Sequence, residues 1–133
     1  MQTFLPYPDF LKTAFVLDYR RLGKQRVEAF QIVNVLTGKS DGWKNHPAVR
    51  MWDGYVDALK AYTNVMIRTW IERGYKNTMK IYEVSSYTLP PWFGDERFHS
   101  SHRAVLLYKD YSHYSKFNWN ELPEYNYFWP TKQ

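Results

Sequence analysis

The chain has no cysteine. Disulfides and thiolate metal sites are therefore excluded, and a reducing compartment suits it. No apolar run approaches the length of a membrane span. The opening residues, Met1-Gln2-Thr3-Phe4-Leu5-Pro6-Tyr7-Pro8, lack the basic start and apolar core of a signal peptide. A soluble cytoplasmic protein is the expectation. Glycine is scarce, at 6 of 133 residues, and nowhere forms a phosphate-cradling loop. No Ser-His-Asp or Cys-His arrangement, internal repeat or low-complexity run is legible.

Aromatic residues are plentiful, with 12 Tyr, 8 Phe and 6 Trp. Some of these rings fill a small core. Others are free to stack on nucleobases. The formal net charge is +5. Residues 1–40 carry 6 Lys/Arg against 3 Asp/Glu, residues 41–80 carry 7 against 4, and residues 81–133 carry 5 against 6. The net positive charge thus belongs to the first 80 residues, which suits a polyanionic partner. At 133 residues the chain reads as one domain, 1–133, large enough for a core. A monomer is the expectation.

Helical spacing predicts an all-α fold with three helices, near 9–36, 46–73 and 96–109. Pro6 and Pro8 keep the first residues extended. Asp9 caps the first helix, and Gly23 predicts a kink or break near Leu22-Gly23. Gly38 and Gly74 are left-handed caps. Asn45 or His46 caps the second helix, with Pro47 in its first turn. Asp95 caps the third. Ile81 to Val84 reads as a short extended piece. Pro123 and Pro130 make the aromatic tail irregular, so that it wraps over the helices.

The first helix carries two faces. Phe15, Tyr19, Leu22, Arg26, Ala29, Val33 and Leu36 form a core stripe that includes one arginine. Such an arginine needs a carboxylate partner or a wet cavity, and the expected partner is Glu28, Asp18 or a carboxylate from another helix. The neighbouring face holds Asp18, Arg21, Lys24, Gln25, Glu28 and Gln31. Four cations (Arg20, Arg21, Lys24 and Arg26) lie within seven residues. A solvated face with Asp18–Arg21 and Lys24–Glu28 pairs is the plain alternative. Further candidate phosphate contacts are Lys44, His46 at a helix start, and His99 and Arg103 on the third helix, where a hydrogen-bonded structural histidine is the reading placed ahead of phosphate contact. Trp129 is a candidate stacking ring. His99 and His102 are one turn apart, but no local carboxylate or thiolate completes a metal site. No metal and no cofactor are expected.

Several segments resemble the pyrimidine-dimer DNA glycosylase family. They are Asp18-Tyr19-Arg20-x-Leu22 followed by Arg26-Val27, the run from Leu59 through Glu72-Arg73-Gly74-Tyr75, Phe98-His99-Ser100-Ser101, and the aromatic C-terminus. Arg21 to Glu28 and Asn45 to Trp52 look closer to a bacterial-type branch. The resemblance implies a compact helical fold, double-stranded DNA as partner, and base excision. In that chemistry an N-terminal α-amine attacks the sugar C1′ and forms an imine that β-eliminates. An α-amine, with an intrinsic pKa of about 7.7–8.0, is partly neutral at physiological pH. Arg20, Arg26 and His99 carry over.

Two positions depart from the family pattern. Gln2 stands where the family has a small residue exposed by methionine removal, leaving Met1 as the candidate nucleophile. Arg21 stands where the family has its glutamate, leaving Glu28 or Asp18 to replace it. The expected function is a glycosylase, with lyase activity, on a damaged or modified base. The alternatives are a non-catalytic nucleic-acid or nucleotide-binding module, or an enzyme using the Asp18–Arg21–Gln25–Glu28 face on a small molecule.

Overall fold

Side chains that accept backbone N–H groups set the helix starts. Asp9 accepts from Lys12, Asp18 from Arg21, His46 from Ala48 and Asp95 from Arg97, each satisfying a donor that the first turn leaves open. The computed structural model describes residues 1–130. It contains α1 (Phe10–Val16), α2 (Tyr19–Leu36), α3 (Pro47–Arg50), α4 (Val56–Glu72), α5 (Glu96–Lys109) and α6 (Tyr111–Tyr114), followed by a 3₁₀ turn at Ser115–Phe117. No strand occurs among the described residues. The all-α reading holds, but two of the three expected helices are divided.

The first division falls at Leu17-Asp18 rather than at Gly23. Asp18 is extended, with φ −66° and ψ 161°, and restarts the helix as its cap. That restart shifts the helical phase, so Phe15 and Tyr19 leave the stripe and are 74% and 52% exposed. Leu22, Ala29 and Val33 remain buried. Gly23 stays helical because α2 and α4 meet there. A Cβ at residue 23 would sit 2.8 Å from the Trp70 ring, closer than a carbon tolerates. The second division is a turn after α3 that passes through Gly54 at φ +86°. It places Trp52 between helices, still fully buried.

Arg26 departs from expectation as well. Its guanidinium lies 4.4 Å over the Trp70 ring and donates to Asn77 Oδ1 at 2.6 Å. The face of an electron-rich ring and an amide oxygen replace the expected carboxylate. The side chain is half-buried, and neither Glu28 nor Asp18 reaches it.

The core lies between α2 and α4, with α1 against α4 and α5 contributing Phe98, Val105, Leu106 and Leu107. Through it runs the N-terminal segment, whose residues 2–5 are buried without forming helix or strand. Buried peptide groups need partners, and here side chains provide them. Phe4 N donates to Gln25 Oε1 at 2.8 Å, and the Phe4 carbonyl lies 2.8 Å from the Tyr62 hydroxyl. Leu5 N donates to His102 Nδ1 at 2.9 Å, while the Leu5 carbonyl accepts from His99 Nδ1 at 2.7 Å. Arg103 holds the Pro6 carbonyl at 2.8 Å, and Thr3 Oγ1 accepts from Trp52 Nε1 at 3.0 Å. Residues 81–84 form no strand. Asn64 nevertheless bonds both backbone groups of Tyr82, at 2.8 and 2.9 Å.

Candidate nucleic-acid site

The N-terminal segment, the first half of α2 and the aromatic tail enclose a cleft of about 600 Å³. Successive turns of α2 deliver Arg20, Arg21, Lys24, Gln25 and Glu28 to it, because positions three and four apart share a face. Lys109 enters from the end of α5 and His46 from the cap of α3. Phe4, Tyr125, Tyr127 and Trp129 supply rings. Tyr127 lies 6.2 Å from Phe4, 5.6 Å from Tyr125 and 5.5 Å from Trp129. The cleft therefore has one cationic wall and one aromatic wall.

At its floor the Met1 α-amine lies 3.9 Å from Glu28 Oε1. Gln25 Nε2 donates to Glu28 Oε2 at 3.0 Å, and the Gln2 backbone N–H lies on the same side and favours the charged carboxylate. Burial pushes the Glu28 carboxyl above its ordinary range, against the pull of the amine, Lys24, the Gln2 N–H and Lys109. Removal from water disfavours the charged form. The same amine acts on His46, whose imidazole is held below its usual pKa first by burial and then by that positive charge.

The two candidate carboxylates have separate environments. Asp18 does not line the cleft. It pairs with Arg21 Nη1 at 3.2 Å, accepts a short hydrogen bond from the Tyr114 hydroxyl, and caps α2. Burial alone would raise its carboxyl, but the Tyr114 and Arg21 bonds outweigh it and hold the group low. Arg21 reaches the cleft carrying that partner. Lys24 forms no ion pair with Glu28.

The remaining candidates divide between cleft and interior. Arg20, Lys24, His46, Trp129 and Met1 line the cleft. Gln25 also borders it but is buried, where it aligns Phe4 and Glu28 rather than meeting solvent. Lys44 lies in the exposed loop before α3, away from the cleft lining. Arg26 is taken up by Trp70 and Asn77. His99 and Arg103 are corrections to the expected phosphate contacts. His99 is fully buried, with its Nδ1 on Leu5 and its Nε2 accepting from Gly94 N at 2.9 Å. Arg103 is occupied by the Pro6 carbonyl, Glu96 and Glu121. Among the described residues, no three His, Asp or Glu gather as a metal site. Sequence reasoning singled out Gln2 only as a departure from the family pattern, and it missed Phe4 and Lys109, which line the cleft with it. The tail ring Tyr127 was visible as an aromatic, but its place beside Phe4 depends on the long return of the chain.

The family model described as pyrimidine dimer DNA glycosylase matches residues 1–83. The chain belongs to that family. The match covers the N-terminal segment and α1 to α4, and with them Met1, the cationic face of α2 and Glu28. Membership carries a DNA substrate and DNA-repair glycosylase chemistry at the level of the family. The tail, α5 and the His99 segment lie beyond the matched residues. No curated protein and no solved structure matches the chain. No helix among the described residues is long and apolar enough to cross a membrane.

Proposed function

We propose that this protein excises a damaged or modified base from duplex DNA through an imine on the Met1 α-amine, with Glu28 as the acid–base and charge-stabilising group. The carrying observation is the 3.9 Å approach of that amine to a half-buried carboxylate inside a cleft walled by cations and rings. A target nucleotide leaves the base stack, at a cost of a few kcal/mol, and lies against Tyr127 and Trp129. Arg20, Lys24 and Lys109 hold the flanking phosphates.

The amine attacks C1′, forming an N–C1′ bond as the glycosidic bond breaks. The bond's electron pair leaves with the base, which takes up a proton. Positive charge on the sugar is stabilised by the half-buried Glu28 anion. The nitrogen sheds a proton, its lone pair forms C1′=N as the C1′–O4′ electron pair leaves on O4′, and O4′ takes up a proton, giving the imine. Loss of a C2′ proton to Glu28 then expels the 3′ phosphate. Arg21, where the family has its glutamate, is neutralised by Asp18 and does not oppose this charge alone.

The test is incubation with duplexes bearing a thymine dimer, an abasic site or a modified base, with borohydride present. A reduced covalent adduct mapped to Met1 is expected. Its absence from every duplex overturns the proposal.

A further inference from the structure

The side chain of Gln2 has no role in the steps above, yet it is built into the cleft. It is 5% exposed and lines the pocket beside Phe4 and Tyr127. Its Oε1 accepts from Thr3 N at 2.8 Å, which fixes the orientation of the amide. Its Nε2 has no hydrogen-bond partner among the described residues. Tyr127 approaches the carboxamide without completing a bond to Nε2. A buried donor left open is unfavourable, and such groups in native proteins call for an explanation.

The cleft already supplies cations for phosphate. A neutral amide donor among rings suits a different acceptor, a ring carbonyl in the plane of a stacked base. We infer that Gln2 Nε2 donates to a carbonyl oxygen of the nucleobase held against Tyr127 and Trp129, so that Gln2 selects carbonyl-bearing bases. This rests on the excision reading for the presence of a nucleotide in the cleft. It adds the group that reads the base.

Binding separates the two. Duplexes carrying a single extrahelical thymine, its carbonyl-free isostere difluorotoluene, or a base-free site at the same position are titrated by fluorescence anisotropy. Wild type is expected to bind the thymine duplex ~10-fold more tightly than the difluorotoluene duplex, on the order of one hydrogen bond to a buried group. Gln2→Met, which keeps a bulky second residue, should remove that preference and leave base-free binding within about twofold, since phosphate contacts are untouched. Gln2→Glu keeps the acceptor for Thr3 N and should lose the preference too, which guards against misfolding of one variant. Equal wild-type affinity for thymine and difluorotoluene, or a preference that survives in Gln2→Met, overturns the inference. Failure of the excision reading registers separately, as no borohydride adduct.

Discussion

Glu28 and Met1 face each other at the floor of the cleft, carboxylate oxygen to α-amine, 3.9 Å apart. They lie 27 positions apart in the chain and meet only because the N-terminal segment is drawn across α2. Glu28→Gln keeps the shape and removes the charge. Excision should fall by ~10²-fold or more, the scale of one lost electrostatic contact, while DNA affinity stays level or rises. Single-turnover kinetics on a lesion duplex gives the answer. Normal excision by Glu28→Gln together with loss in Asp18→Asn would transfer the role to Asp18.

Binding should weaken with salt. Each phosphate contact contributes a slope of about 0.9 log units per log unit of salt. Arg20→Ala combined with Lys24→Ala should flatten the slope by about 1.8, two contacts' worth. An unchanged slope would place the phosphates on another face.

The fold should weaken in mild acid. Burial holds the His102 imidazole down to about 3, against an ordinary value near 6.5. The unfolded chain therefore takes up a proton that the folded one refuses. This contribution is fully present above pH ~6.5 and is lost as pH falls toward 3. His99 and His46, also held low, act in the same direction. Asp18 and Glu121, held below the carboxylate range, act at lower pH. Between pH 4.5 and 6.5, His102→Asn, which retains an acceptor near the Nδ1 position, should show a shallower loss in urea unfolding than wild type. Parallel curves would refute the assignment.

Gly23→Ala tests the contact between α2 and α4. Alanine is the better helix former by about 1 kcal/mol. Its Cβ would meet Trp70 ring atoms at 2.8 and 2.9 Å, and overpacking of that kind costs about 1–3 kcal/mol. Net destabilisation in chemical denaturation is expected. A stabilised variant would mean that Trp70 moves freely.

The sequence made the local features legible. Asp9, His46, Asp95, Gly38 and Gly74 cap helices or adopt positive φ where their chemistry dictates, and α5 spans the expected residues. The cationic face of α2 was readable from spacing, and so was Glu28 beside it. Asp18 was read as a charged residue of a continuous helix, although its side chain competes for backbone donors and ends one. His99 and Arg103 have the right chemistry for phosphate. Their partners, Leu5 and Pro6, lie more than 90 positions away, beyond any local pattern. Arg26 needed Trp70 and Asn77, which no helical period brings into view.

The clamp on Leu5 has a consequence for how the fold closes during synthesis. His99 and His102 lie on α5, 94 and 97 positions from the residue they hold. Helices α1 to α4 can emerge and pack with Gln25, Trp52 and Tyr62 already holding Thr3 and Phe4, while the peptide groups of Leu5 still lack their partners. Only when α5 arrives are both satisfied. A chain stopped before His99 would carry both proposed reacting groups on a segment held at Thr3 and Phe4 and left open at Leu5.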